Sequence, residues 1–478
     1  MNHVLENPCR GVTYILSRIL KIGIHKRELN AKLLFCLVCF LSFNIFADEP
    51  APQSESSIQR EEIKKEEGET KDSARLSLSK AEKMFVQNNL MLLSAKFQID
   101  MKKASVMQAG LYANPTIGVD QGIFRDGTDR YFDTTRSGQT AIQVQQLFLL
   151  GGKIDKRIKV AEIGKKISEE MFYDLLRALK LQLRTSFFQL YYLRQAIGFY
   201  DESIHALQKT ATLADKSYKS RAILLSELLR LKALIFFLSN ERTELMIQSK
   251  EKEANLRVLL NSKDLEGLTI APIVEPDILD NIPLENLKIA NVIDTAFENR
   301  PDLKIAIQSV KLEEANIQLQ NANAIPDIAF GPYYNRQGTA YPNYWGITAQ
   351  VTVPIFDRNQ GNIQAAEKAL LAKRAELQNV RIQVENEISI IYSKAIEKDK
   401  LYKTFKDKFT EDYKKLSMQM IKNYEKRYLT VIEFADFFET YRTSILQMIK
   451  LQTDRVEAIE GLNYSVGKNI LNIQSTME

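Results

Sequence analysis

Two hydrophobic periods alternate along this chain, and the alternation happens twice. Residues 345–355 ("WGITAQVTVPI") have period two, with Ile347, Ala349, Val351 and Val353 on one face and Thr348, Gln350 and Thr352 on the other. Residues 326–335 ("PDIAFGPYYN") precede them across a polar, glycine-bearing connection, "RQGTAYPN". An earlier pair at about 115–124 and 139–148 is joined by "RDGTDRYFDTTRSG", with Ile117, Val119, Ile123, Ile142 and Val144 as its apolar positions. Each pair predicts a β-hairpin. After each hairpin the period changes to three and four, over 152–262 and 361–474, without one proline. Helices that long must fold back once, and the expected reversals are near 218–227 and 424–433, giving legs of roughly 60 residues and about 90 Å. A shorter helix precedes each hairpin, over 78–112 and about 301–323, the second opening on Pro301 at a first helical position.

The doubling is a repeat in the residues themselves. A shift of 211 positions aligns 76–118 with 287–329 without a gap, matching Leu76 to Leu287, Asn88 to Asn299, Leu92 to Leu303, Ala104 to Ala315, Pro115 to Pro326 and Ile117 to Ile328. "QLF" (146–148) then matches "PIF" (354–356), and "YKSRAILLSE" (218–227) matches "YEKRYLTVIE" (424–433). The chain is a tandem duplication: a first unit over 75–262, a connection over 263–286 and a second unit over 287–474. Each unit carries one strand-to-helix junction, at Gly151 and Gly152 in the first and at Gly361 in the second, where glycine supplies backbone freedom.

Each strand is about ten residues long with one apolar and one polar face, the pattern of a tilted membrane-crossing strand. An open sheet cannot sit in lipid, because unpaired edge N–H and C=O groups cost several kcal/mol each. Four strands are too few to enclose a lumen, since eight make the smallest filled barrels. The pattern therefore calls for several chains pooling strands, with Ile347, Ala349, Val351 and Val353 facing lipid and Thr348, Gln350 and Thr352 facing the lumen. Phe124, Tyr131, Phe132, Tyr334, Tyr341, Tyr344 and Trp345 are candidates for an interfacial aromatic belt.

Composition narrows the chemistry. Basic residues Lys26, Arg27 and Lys32, the apolar run "LLFCLVCFLSFNIF" and Ala47 read as a signal peptide over 1–47. Residues 48–74 are charged and poor in large apolar side chains, as in a disordered linker. All three cysteines lie in the leader, so beyond it disulfides, thiolate metal sites and cysteine nucleophiles are excluded. His205 is the single histidine beyond the leader, too little for a zinc site without three distant carboxylates. No P-loop, phosphate-cradling glycine loop or GxSxG motif occurs. Without the leader the net charge falls from +5 to about +1, and no basic face suggests nucleic acid.

The combined pattern resembles the TolC family of outer-membrane efflux channels over nearly all of 76–474. The residues that carry it are "LSLSKAEKMFVQNN", "NRPDLKIAIQSVKLEEANIQLQNANAIPDIAFGPYY" and "VPIFDRNQGNIQAAEKA", the last similar to members serving heavy-metal pumps of the resistance-nodulation-division (RND) class. The resemblance implies a mainly α fold with a membrane β-barrel portion. It implies a homotrimer, with twelve strands in the outer membrane above a twelve-helix periplasmic tunnel, and neither catalytic residues nor a cofactor. The implied partners are a periplasmic adaptor (a membrane fusion protein), an inner-membrane RND pump and outer-membrane lipid. Tyr218, Arg221, Tyr424 and Arg427 would mark the adaptor-contacting tips, although the family usually has glycine where this chain has Arg221 and Arg427. Arg221, Glu227, Arg427, Glu433 and Asp436 are candidate gate charges that would hold the periplasmic end closed. The "FDRNQG" junction tilts the implied cargo toward heavy-metal cations, and the exit duct of a multidrug pump or of a type I protein-secretion system is the alternative. A periplasmic coiled-coil scaffold without a pore is the rival of another class.

Overall fold

The computed structural model describes residues 73–125, 130–275, 282–338 and 340–471. The expected signal peptide, and the linker as far as residue 72, lie outside the described residues. Ser73–Ser77 (β1) leads into two short helices, Leu78–Asn88 (α1) and Leu90–Ala109 (α2), then strands Thr116–Gln121 (β2), Phe124–Arg125 (β3), Arg130–Tyr131 (β4) and Gln139–Phe148 (β5). Two long helices follow, Lys153–Lys219 (α3) and Leu225–Leu260 (α4), and then strand Thr269–Ile273 (β6). The second unit has Ile289–Asn299 (α5), Pro301–Asn323 (α6), Ile328–Gln337 (β7), Tyr341–Val351 (β8), Gln360–Glu425 (α7) and Val431–Val466 (α8). At 67 residues, α3 is about 100 Å long.

Several boundaries differ from those the pattern predicts. The helix expected over 78–112 breaks at Asn89, whose side chain accepts from the Met91 and Leu92 amides and donates to the Leu259 carbonyl at 3.0 Å. The position 211 residues later is Arg300, where α5 gives way to α6. Each copy thus kinks at the same place with different chemistry. Arg300 is 4% exposed, spans Asp302 and Glu387, and donates to the Ser465 carbonyl at 2.8 Å, tying the kink to α7 and α8.

The connection over 263–286 contains β6, which pairs in parallel with β1. Ser73 and Ala74, expected in the linker, belong to that pair. Glu253, buried on α4, accepts from the Ile270 amide and from Arg257, and so fixes β6 against the helix.

Where the helices meet β1 and β6, Leu76, Phe85, Leu183, Phe187, Leu256, Ile270, Val292, Ile388, Ile459 and Leu462 form one large buried cluster. A second cluster lies further along the long helices and joins Tyr200, Leu207 and Leu231 to Phe434 and Phe438.

Candidate functional site

The main sheet has the order β2–β5–β7–β8 and is antiparallel throughout, so β2 and β8 are open edges. Register decides which residues share a face, since directly opposed residues point the same way. One face collects Ile117 and Val119, then Ile142, Val144, Gln146 and Phe148, then Ile328, Phe330, Pro332 and Tyr334, then Trp345, Ile347, Ala349 and Val351, apolar but for Gln146. The other collects Thr116, Gly118 and Asp120, then Ala141, Gln143 and Gln145, then Ala329, Gly331, Tyr333 and Asn335, then Tyr344, Gly346, Thr348 and Gln350.

The first face is apolar and bare: Ile117 is 70% exposed, Trp345 72% and Ile347 71%. At about 3.4 Å per residue and a tilt of ~40°, an eleven-residue strand rises roughly 27 Å, close to the apolar band of a membrane barrel. Strand β8 ends at Val351, so Thr352 and Val353, expected within it, lie beyond its end. Phe124, Tyr131, Tyr334, Tyr341, Tyr344 and Trp345 gather at the hairpin end, with Tyr334 and Trp345 ring centroids 4.9 Å apart.

The two junctions are built unlike one another. In the first, Gly151 and Gly152 both take positive φ (+70° and +67°), and a Cβ on Gly151 would meet the Ile325 side chain at 2.6 Å. Asp327 locks this corner by accepting from the Leu150 amide at 3.0 Å and pairing with the buried Lys153 ammonium at 2.6 Å.

In the second junction the pivot is Asn359, at φ +60°. Gly361, expected to supply the freedom, lies inside α7 without a left-handed backbone. Asparagine tolerates that conformation because its short side chain bonds locally. Here its amide donates to the Gln320 carbonyl at 2.7 Å, its N–H donates to Asp357, and its Oδ1 accepts from Asn362. The "DRNQ" turn is thus closed by its own side chains.

At the far ends, the chain reverses at residues 220–224 and 426–430, inside the YxxR blocks. Both reversals are Schellman motifs. The Ala222 amide donates to the Ser217 carbonyl and the Arg221 amide to the Tyr218 carbonyl; Tyr428 and Arg427 repeat the pattern with Asn423 and Tyr424. Arg221 and Arg427 therefore occupy the left-handed C′ position, at φ +59° and +60°, which favours glycine. A left-handed backbone costs an L-residue ~1–2 kcal/mol, while glycine gives back ~0.5–1 kcal/mol in chain entropy. Arg221→Gly or Arg427→Gly should then strengthen its turn by about 0.5–1 kcal/mol. Slower hydrogen exchange at the Ala222 and Tyr428 amides would register the gain, and faster exchange would refute it.

The tip residues are otherwise unequal. Tyr424 stacks on Phe434 at 4.6 Å, and burial pushes its hydroxyl pKa up, with Glu227 adding to the rise. Tyr218 stays 38% exposed. Arg427 reaches the Ser217 hydroxyl at 3.5 Å, linking the two tips. Glu433 is spent in a capping box with Thr430, whose backbone N–H and hydroxyl hold its carboxylate below the usual range. At the equivalent start of α4, Leu224 offers no side-chain cap.

Strands that run directly into paired helices of this length are the arrangement found in solved outer-membrane channels. The chain belongs to the outer membrane efflux protein family, which it matches over residues 83–262 and 292–401. It is 23% identical to the cobalt-zinc-cadmium resistance protein CzcC of Cupriavidus metallidurans over 324 residues, 66% of this chain and 73% of that one. Its fold is shared with CusC, a transmembrane-channel protein (TM-score 0.68, 15% identity, 82% of this chain and 92% of that one). It is shared also with the CmeC outer membrane channel of Campylobacter jejuni (TM-score 0.68, 13% identity, 89% and 96%). Membership places the chain among non-enzymatic transport proteins.

Proposed function

We propose that three copies of this chain form the exit duct of a tripartite efflux pump of the RND type. The single observation that carries this reading is the four-stranded sheet, apolar and exposed on one face, with open edges at β2 and β8. In lipid those edges must be paired. Pairing β2 of one copy with β8 of the next satisfies both, and three copies give a twelve-stranded barrel. Ile347, Ala349 and Val351 then meet outer-membrane lipid while Thr348 and Gln350 face the lumen; Val353 and Thr352 continue those two faces past the strand end. The junctions at Gly151, Gly152 and Asn359 carry the barrel into the periplasmic helices. The tips, with Tyr218, Arg221, Tyr424 and Arg427, meet a membrane-fusion adaptor that links the duct to the inner-membrane pump. Of the candidate gate charges, Arg221, Glu227 and Asp436 have no ion-pair partner among the described residues and can bind across protomers, Arg427 reaches Ser217 within the chain, and Glu433 serves its own helix.

The cargo we favour is a divalent metal cation. The family-level match to CzcC, a protein named for cobalt, zinc and cadmium resistance, supports this. Efflux of drugs or proteins is the competing outcome. The test is fractionation, cross-linking and planar-bilayer conductance of the mature chain, with metal and drug tolerance of a strain lacking it. Trimers in the outer membrane, open channels and a metal-specific sensitivity are expected. A soluble, non-conducting protein would end the duct reading, and a drug-only phenotype would end the metal assignment.

A further inference from the structure

Registering the four strands leaves an uneven distribution of charge. Across β2, β5, β7 and β8 the charged residues are Asp120 and Arg336, and the pairing sets them on opposite faces. Arg336 lies opposite Thr140, on the apolar face near the hairpin end, and donates to the Thr134 carbonyl at 2.7 Å and to the Thr140 hydroxyl. Asp120 lies on the polar face in a row with Ala141, Asn335 and Tyr344. It is exposed, and among the described residues no lysine or arginine is paired with it. The rest of that face is glutamine, threonine, asparagine, tyrosine, glycine and alanine, apart from Leu147. Two strands along the same row, beyond Ala141, the Asn335 side-chain oxygen has no hydrogen-bond partner among the described residues.

We propose that Asp120 sets the charge selectivity of the duct, as a ring of three carboxylates, one from each copy, favouring cations over anions. The inference rests on the trimeric barrel proposed above and adds a residue and a substrate class to it. A low-dielectric wall carrying one sign of charge concentrates counter-ions in the lumen. Ions crossing the ring pass about 10 Å from three carboxylates, near the Debye length of ~8 Å at 0.15 M salt, so screening leaves an about threefold preference for potassium over chloride. The preference grows as salt is lowered and is larger for divalent cations, whose charge enters twice. Arg125 and Arg130 stand further along, on the β3–β4 extension, opposite one another in register. They are beyond the strand row that holds Asp120.

The experiment is the reversal potential of purified trimer in a planar bilayer under a potassium chloride gradient, repeated with zinc chloride. Wild-type channels should show the cation preference. Asp120→Asn, which keeps the side-chain shape, should abolish it, and Asp120→Lys should turn it toward chloride. Channels that form with Asp120→Asn and keep the wild-type reversal potential would overturn the assignment while leaving the duct intact. Failure of the wild-type chain to conduct would overturn the duct itself, and the inference with it. An Arg130→Gln variant that removes or inverts selectivity would move the selective charge off Asp120 and overturn the proposal as well.

Discussion

Replacing Arg184 by methionine should cost about 3–5 kcal/mol, the usual loss when one member of a buried ion pair is removed. Arg184 is 2% exposed near the middle of α3. It pairs with Glu82 of α1 at 2.5 Å and with Glu460 of α8 at 2.7 Å. Burial alone would depress the guanidinium pKa, but Glu460 and then Glu82 outweigh it and leave the value raised. One side chain thus joins three helices drawn from both ends of the chain. Without it Glu460, 3% exposed, loses the cation that pairs with it among the described residues. The double replacement Arg184→Met with Glu460→Met should recover most of the loss, because an apolar pair of similar volume carries no desolvation cost. Glu82 keeps Lys180 at 3.5 Å in either variant. The check is denaturant unfolding of the detergent-solubilised protein. A single-variant loss below ~1 kcal/mol, the size of an ordinary surface change, would show that the cluster is not holding the helices together.

What the amino-acid pattern reveals, and what it hides, divides along physical lines. Period-two and period-3.6 runs sustained over ten or more residues mark the strands and long helices directly, and a proline at residue 301 marks a helix start. The parallel pairing of β1 with β6 brings together residues 196 apart, Ser73 and Thr269, in segments too short to show a period. Asn89 breaks its helix with a side-chain bond to a distant carbonyl, which no local rule reports, whereas the matching break at Arg300 is announced by Pro301.

The tips show the same limit. Glycine is the usual mark of a left-handed turn, so Arg221, Arg427 and Asn359 give no warning of their backbone, and Gly361 gives a false one. The position of the YxxR blocks as reversals is legible from helix length; the Schellman geometry and the strain at arginine are not. The charge of the polar face is hidden for another reason. Asp120 looks like any strand-end aspartate until register shows that it stands alone there.

Gly331 is where a single added carbon should do most damage to the barrel. It lies at the centre of β7, beside Pro332, which has no N–H to give to β5. An ideal Cβ at position 331 would sit 1.7 Å from the Val144 carbonyl oxygen and 2.8 Å from its carbon. Both are backbone atoms of the neighbouring strand, so no rotamer change relieves the clash and the strands must part. The β5–β7 contact is the seam between the two repeats, where a strand of the first hairpin pairs with a strand of the second inside a chain. Gly331→Val should therefore leave the helical unit folded, since its buried clusters lie on α1–α5, α7, α8, the β1–β6 pair and the connections beside it. It should nevertheless abolish closed trimers. Seam and edge fail together, because a sheet split at β5–β7 cannot present β2 and β8 at the spacing a neighbour needs. The readout is the heat-resistant trimer band on a denaturing gel, with circular dichroism to confirm retained helix. Gly118→Val is the matched control: it is on the same face, and nothing lies within 4 Å of its Cβ position. Trimers from both variants alike would mean that the seam tolerates a side chain, and that closure does not depend on the close approach of β5 and β7.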